Sequence, residues 1–389
     1  MKSVKFYTLG CKVNQYDTQS IRERFLNCGF QELNNGKGAD FCIINTCTVT
    51  LRADHKSKGV IRDCIRDNPQ AKIIVTGCLV EKDAASLSKI KGAGLIISKR
   101  FFPEGISSFS GHTRAFLKIQ DGCDNFCAYC KVPLVRGRSK SRTLDKIVQE
   151  AGLLVESGFK EIVLSGICLG AYGLDLTPKL GLVDVIEALE DIDGLLRIRL
   201  SSIEISDVSC ELIDKISRSK KLCRHLHIPL QSGDDQILKD MNRKYCVREY
   251  SNIIERIKNR IPEIAITTDV LVGFPGETER NFRNTVNLIQ AIVPLRVHIF
   301  PYSPRAGSLA FNFQDRIGPR IVNQRAAYLK AVADSCSLIY KQRFLDKDMD
   351  VLIEGRVKDS SVLWEGYTDN YIKVRVKFGQ NLNQNLGYP

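Results

Sequence analysis

Six of the fourteen cysteines stand in two groups of three, and their spacing defines the chemistry open to the chain. Cys123, Cys127 and Cys130 form a tight Cys-x3-Cys-x2-Cys run within DGCDNFCAYC. Cys11, Cys47 and Cys78 are dispersed, yet each directly follows an apolar run, in FYTLGC, FCIINTC and KIIVTGC. Thiolates are soft ligands that hold iron–sulfur clusters, and such clusters normally take four of them. A set of three leaves one iron with an open coordination position. Two such sets predict two reactive metal centres that cooperate. Structural zinc competes for the tight run, but it normally takes a fourth Cys or His at matching spacing. His112, the nearest histidine, belongs to no Cys-x2-Cys partner pair. Iron–sulfur ligation is therefore preferred.

The dispersed group needs a fold to assemble it. Strands are predicted at 3–9, 40–46 and 72–77, with helices near 17–28 and 54–67. This alternation implies βαβ units and a parallel sheet. Residues just past the C-terminal ends of parallel strands share one sheet edge. Cys11, Cys47 and Cys78 follow Gly10, Thr46 and Gly77 in that position, so they should converge. Core cysteines would lie inside the strands instead.

A second alternation predicts six more strands, at 114–120, 161–166, 196–202, 225–231, 266–273 and 297–303, with helices such as 144–158 and 247–259. Six βα units match a partial (β/α)6 barrel, where chemistry sits at the C-terminal strand ends. DGCDNFC follows the first of these strands. A long helix is predicted over 318–345, then a basic, β-rich tail with alternation in YIKVRVKF, read as a small β-barrel. The fold class is α/β.

Bulk properties narrow the setting. At 389 residues, 43% apolar and 26% charged, the chain has the composition of a globular protein of two or three domains. Disorder, collagen and coiled coil are disfavoured. MKSVKFYTLG lacks the apolar centre of a signal peptide and no run of eighteen apolar residues occurs, so a cytoplasmic chain without a membrane span is expected. Most remaining cysteines read as small buried hydrophobes. The formal charge of +13 favours a polyanionic partner. KVPLVRGRSKSR, at 131–142, carries five basic residues and no acidic one.

Cys-x3-Cys-x-aromatic-Cys, with Tyr129 as the aromatic, resembles the cluster loop of radical S-adenosylmethionine enzymes. YTLGCKVNQYDTQ, INTCTVT, TGC, RLSSIE, CRHLHIPLQSGDD, DVLVGFPGET and HIFPYSPRAGS extend the resemblance, over nearly the whole chain, to the methylthiotransferases. The tRNA threonylcarbamoyladenosine branch is most similar. The resemblance implies three domains. Residues 1–105 hold an auxiliary [4Fe–4S] cluster on Cys11, Cys47 and Cys78. Residues 110–340 form the radical core, with a second cluster on Cys123, Cys127 and Cys130 whose open iron S-adenosylmethionine chelates. Residues 341–389 form a TRAM-like RNA-binding barrel, shortened after YIKVRVKF. The implied reaction adds CH3S– at C2 of N6-threonylcarbamoyladenosine, position 37 of the tRNA anticodon loop. One S-adenosylmethionine methylates a sulfur on the auxiliary cluster; a second is cleaved to the radical that activates the adenine carbon. An electron donor such as flavodoxin or ferredoxin, and a sulfur donor, are also implied. The same chemistry on isopentenyladenosine or on a ribosomal-protein aspartate remains open, as does a non-catalytic iron–sulfur tRNA-binding protein.

The resemblance also assigns supporting residues. Ser165 and Gly166 are placed against the methionine amino group, and Glu204 against the ribose or amino group. Gln231, Ser232 and Asp269 are candidates for the pocket lining. Arg136, Arg138 and Arg142 are candidates for phosphate contacts at its mouth. Trp364, Tyr367 and Tyr371 either stack on RNA or fill a barrel core. GFPGET reads as a strand-ending turn, and His225 and His227 as packed, hydrogen-bonded side chains. Cys168 departs from the family, which more often has His there.

Overall fold

A computed structural model describes residues 1–34, 38–102, 104–358, 360 and 362–377. The chain begins β1 (Ser3–Thr8), α1 (Lys12–Asn27), β2 (Gln31–Glu32), β3 (Phe41–Thr46), α2 (Leu51–Asp67), β4 (Lys72–Gly77), α3 (Cys78–Ser88) and β5 (Leu95–Ile96). The strands form one parallel sheet in the order β2-β1-β3-β4-β5. Cys42, Ile43 and Ile44 of β3 are fully buried, as the apolar runs of a sheet covered on both faces demand. Strands β1, β3 and β4 match their predicted bounds to within a residue, whereas the two-residue β2 and β5 have no counterpart in the sequence reading. Helix α1 starts five residues before the predicted helix, because Val13, Asn14 and Tyr16 form its buried face. Helix α3 escaped the sequence reading altogether.

The middle of the chain continues β6 (Ala115–Lys118), β7 (Gln120–Asp121), α4 (Val132–Arg136), β8 (Lys140–Ser141), α5 (Leu144–Glu156), β9 (Glu161–Ser165), α6 (Leu182–Glu190), β10 (Arg197–Leu200), α7 (Cys210–Arg218), β11 (His225–His227), α8 (Asp235–Asp240), α9 (Val247–Arg260), β12 (Ala265–Val272), α10 (Glu279–Ile292) and β13 (Arg296–Pro301). Two three-stranded parallel sheets result, β10-β9-β6 and β11-β12-β13, and parallel bridges at Ile198↔Leu222 and Ser202↔His227 link them. Strand β11 ends well before the predicted 231, since Pro229 has no N–H to continue the ladder. Ile266, Val270 and Val272 pack in the core with Phe282, Val286 and Ile289 of α10. By strand alternation Thr267 and Asp269 face away from α10.

Helix α11 (Pro319–Gln342) leads to an antiparallel sheet of β14 (Val351–Arg356), β15 (Leu363–Thr368) and β16 (Lys373–Lys377). The end of the YIKVRVKF pattern at Phe378 lies outside the described residues. Buried arginines tie the parts together. Arg197 and Arg199 at β10 donate to the carbonyls of Asp350, Tyr367, Thr368 and Asp369. Arg305, following β13, is 1% exposed and donates to Thr48 and to Asp54 Oδ2, the latter at 2.9 Å. Lys118 of β6 pairs with Asp17 of α1 at 2.6 Å. The first sheet thus engages both β6 and the segment after β13, the two outer members of the central strand series. Among the described residues no helix is long and apolar enough to cross a membrane.

Candidate active site

The dispersed cysteines converge where expected. Cys11 caps α1, Cys78 opens α3, and Cys47 lies between β3 and α2. Cys11 and Cys47 both act electrostatically on the Cys78 thiol. Two glycines make this approach possible. Gly10 has φ +109°, and a Cβ there would stand 3.0 Å from Cys47 Cβ and 3.1 Å from its sulfur. Gly77, at φ +97°, would put a Cβ 2.3 Å from Asn45 Oδ1. Burial pushes the Cys47 and Cys78 thiols up, with Arg136 pulling both back. Ser57 Oγ holds the Cys47 backbone, accepting from its N–H at 3.2 Å and donating to its carbonyl at 3.0 Å.

The second group sits on the segment joining β7 to α4, and each sulfur has its own donor. The Asn125 N–H lies 3.5 Å from Cys123 Sγ, the Val132 N–H 3.4 Å from Cys130 Sγ, and Arg243 Nη1 3.2 Å from Cys127 Sγ. A hydrogen bond from Cys168 brings the Cys123 thiol down to about 7, although burial opposes it. Burial pushes Cys130 up to about 12. Thiols must shed their protons to bind metal, and N–H donors around the sulfurs steady the negative charge the thiolates then carry. Both groups therefore fit an iron–sulfur cluster: three soft donors each, no disulfide claiming any of them, and the tight group ringed by donors.

One side chain links the two groups. Arg136, on the helix directly after Cys130, donates to both oxygens of Asp121 at 2.8 Å and to Asn14 Oδ1. That same oxygen stands 3.7 Å from the Cys78 thiol. Arg136 is buried, and its expected role as a phosphate contact is corrected by this geometry. Arg142 is likewise occupied, donating to Tyr16 Oη, the Lys118 carbonyl and Glu150. Arg138 alone of the three is exposed, paired with Asp124 at 2.7 Å.

Other expectations also shift. Ser165 is fully buried and donates to the Val163 carbonyl at 3.1 Å. Ser232 is 1% exposed and partnered by Thr285 and the Asp234 N–H. Neither hydroxyl is free to line a pocket. Gly166 is held close: a Cβ there would lie 2.9 Å from Gln120 Oε1, which accepts from the Ile167 and Cys168 N–H groups. Glu204 pairs with Arg243, Gln231 takes φ +68°, and Asp269 lies 3.2 Å from His227 Nε2. His225 and His227 both hydrogen-bond Thr267 Oγ1 at 2.9 Å, as read from the strand pattern. Tyr371 stacks on Tyr367 and His225, and Trp364 is buried under Arg356, so these rings meet protein. Glu277 accepts from the Gly273 N–H and closes GFPGET as a turn. Sequence reasoning missed Asn14, Gln120 and Arg243, whose types carry no signal apart from the contacts the fold gives them.

Comparison with known proteins agrees with this geometry. Residues 117–289 match the Radical SAM superfamily, and residues 3–98 match Uncharacterized protein family UPF0004. The chain is 37% identical to threonylcarbamoyladenosine tRNA methylthiotransferase MtaB of Bacillus subtilis (strain 168), covering 97% of this chain and 91% of that protein. It is 40% identical to the protein of that name from Chlamydia pneumoniae, covering 90% and 86%. It is 33% identical to a tRNA-2-methylthio-N(6)-dimethylallyladenosine synthase of Clostridium tetani, covering 93% and 87%. In fold, it superposes on the radical S-adenosylmethionine methyltransferase TsrM of Kitasatospora setae with a TM-score of 0.57 at 13% identity, covering 77% and 75%. With its six thiols so disposed, the chain belongs to the radical S-adenosylmethionine methylthiotransferases, transferases whose cofactors are S-adenosylmethionine and [4Fe–4S] clusters.

Proposed function

We propose that the chain methylthiolates C2 of N6-threonylcarbamoyladenosine at position 37 of tRNA, using two [4Fe–4S] clusters, one on each cysteine group. The observation that carries this reading is the Arg136–Asn14 link, which joins the helix that follows Cys130 to the surroundings of Cys78 and so ties the two thiol groups together. Relatives bearing the threonylcarbamoyladenosine name support the base, and the +13 charge supports an RNA partner.

When bound, the clusters would supply the electron for reductive cleavage of S-adenosylmethionine and the sulfur for transfer. The chain does the rest. Cys123, Cys127 and Cys130 would hold one cluster, and the donors from Asn125, Val132 and Arg243 would steady the charge on their sulfurs. Gly166, Glu204, Gln231 and Asp269 border S-adenosylmethionine or the extruded base, with Ser165 and Ser232 shaping the turns from inside. An anticodon-loop base is unstacked and can be drawn into such a site. Arg138 meets RNA phosphate at its mouth. In this reading residues 1–105 carry the auxiliary cluster, residues 110–340 form a partial (β/α)6 barrel, and residues 341–389 contribute a TRAM-like module. The reaction draws on an electron donor of the flavodoxin or ferredoxin kind and a separate sulfur source, in the cytoplasm.

Anaerobic turnover with S-adenosylmethionine, sulfide and hypomodified tRNA, followed by nucleoside mass spectrometry, tests the reading. Wild type is expected to give methylthiolated threonylcarbamoyladenosine. Cys123→Ala abolishes 5′-deoxyadenosine formation, whereas Cys47→Ala retains it and loses thiolation. Normal thiolation by Cys47→Ala removes the dispersed group as the sulfur carrier. A wild type that makes no 5′-deoxyadenosine is a non-catalytic protein.

A further inference from the structure

The helix-free side of the central strands carries a cluster of cations that the thiol chemistry leaves unused. Tyr371, between β15 and β16, enters this space. Its ring stacks on His225 at 4.5 Å, and the guanidinium carbons of Arg114, Arg199 and Arg296 stand 5.5, 4.8 and 5.7 Å from its centre. Lys12, the first residue of α1, is in electrostatic reach of the same tyrosine and of Arg114 and Arg199; burial, then the two arginines, lower its pKa, and an arriving anion would offset that. Residues from both ends of the chain thus meet inside one space bounded by the central strands.

These cations are not equivalent. Arg199 is neutralised by Glu161 at 2.6 Å, and Arg114 by Glu354 at 2.6 Å. Lys12 and Arg296 have no carboxylate or hydrogen-bond partner among the described residues; the ring of Tyr371 is what Arg296 rests on. A further acid on this face, Asp269, is already held by His227, with His298 close enough that the three donor atoms lie within 4.8 Å of one another. That trio has metal-binding chemistry, but Lys12 and Arg296 both act on the His298 imidazole, and their charge opposes a divalent cation there. The space favours an anion. A cavity of about 360 Å³ opens beside it between β13, α11 and Tyr371; Arg296, Lys341 and Lys373 line it, and its one carboxylate, Asp334, is paired with Lys330.

We propose that Lys12 and Arg296 form a carboxylate-recognition site for the amino-acid arm of the substrate base, and that this site separates a threonylcarbamoyl adenosine from an apolar dimethylallyl one. The inference rests on the function proposed above. A carboxylate between two unpaired cations forms charge-assisted hydrogen bonds. An apolar arm leaves both cations facing it unpaired, and sites built to pair a polar group reject analogues lacking it far more strongly than apolar pockets reject added bulk. Lys12 directly follows Cys11, so the residue that reads the arm is fixed beside the proposed sulfur-bearing centre.

The test uses anticodon stem-loop RNAs carrying threonylcarbamoyladenosine, the methyl ester of its arm, or dimethylallyladenosine. They are assayed with wild type, Lys12→Met, Lys12→Arg and Arg296→Gln under saturating reductant. The readout is the ratio of kcat/KM for acid over ester within each protein, which losses of folding or iron do not move. Wild type is expected to prefer the acid by about a hundredfold. In Lys12→Met and Arg296→Gln the ratio falls to about tenfold or less, and Lys12→Arg recovers part of it. Wild-type ratios in both neutral variants overturn the proposal. A raised KM for S-adenosylmethionine with an unchanged ratio also overturns it, assigning the cations to the methionine carboxylate. Wild type that acts on the dimethylallyl RNA alone fails the parent reading, and the proposal with it, in the wild-type measurements before any variant is compared.

Discussion

The two cysteine groups reach the same chemistry by opposite routes. Cys123, Cys127 and Cys130 sit on one short segment, and two of their three sulfur donors, Asn125 and Val132, come from that segment's own backbone. Cys11, Cys47 and Cys78 come from three strand ends and depend on side chains elsewhere: Asn14 from α1, Arg136 from α4, and Ser57 from α2. A local loop carries its geometry with it. A dispersed set borrows its geometry from the fold, and the residues that lend it are the ones to break.

Arg136 is where the borrowing is greatest. Arg136→Met takes the two-pronged partner from Asp121 and one of two cations from Asp17, with Lys118 and Lys99 left to hold the acids, and removing one partner of such a network costs about 3 kcal/mol. Urea unfolding should register that loss, and iron should be lost from the dispersed group first. Glu161→Gln provides the matched control at the other end of the strands. It strips Arg199 of its partner and should cost a similar amount at neutral pH, about 3–5 kcal/mol, while iron content holds. Its pH dependence has a definite sign. Burial alone raises the Glu161 carboxyl, but Arg199, then Arg114 and Arg197, outweigh it and hold the group below its ordinary value. A depressed carboxylate stabilises fully above the unfolded value of about 4.3, and that stability is lost as pH falls through the folded value. The gap between wild type and Glu161→Gln should therefore close below about pH 4. A gap that persists in acid excludes the ion pair as its source.

A pair of glycines sharpens the contrast further. Gly77→Ala forces a Cβ to within 2.3 Å of Asn45 Oδ1 and 2.5 Å of the Thr46 carbonyl, at a φ of +97°. The strain is on the order of 2 kcal/mol or more. Iron per chain should drop to the share held by the tight run. Gly122→Ala drives a Cβ to 1.9 Å from the Arg138 carbonyl and should produce the reciprocal loss. Equal losses at both groups in either variant would mean that the two fold as one unit.

The same contrast explains what could be read beforehand. Spacing alone exposed the tight run, because its ligands are neighbours in sequence. The dispersed run was legible through period: apolar strands ending at Gly10, Thr46 and Gly77 place three thiols on one sheet edge whatever the side-chain details. What stayed hidden was partner choice. Arg136, Arg138 and Arg142 look alike in KVPLVRGRSKSR, yet two turn inward to Asp121 and Glu150 while one stays in solvent. Nothing in a basic run says which member finds a buried acid, since Asp17 and Tyr16 arrive from more than a hundred residues away. Ser165 and Ser232 were misjudged for a related reason: a hydroxyl at a strand end serves a pocket or its own turn equally well.

Arg138 gives the smallest effect and the cleanest reading. Its side chain is 77% exposed and its partner Asp124 is 42% exposed, so the pair adds little to folding. Exposed ion pairs are worth about 0–1 kcal/mol, and Arg138→Gln should shift unfolding by no more than about 0.5 kcal/mol. Binding is another matter. If this guanidinium neutralises one RNA phosphate, its loss lowers the slope of log affinity against log salt by about 1, with little change in base preference. An unchanged slope would place the RNA path elsewhere. Lys140, also exposed and two residues along, is then the next side chain to test.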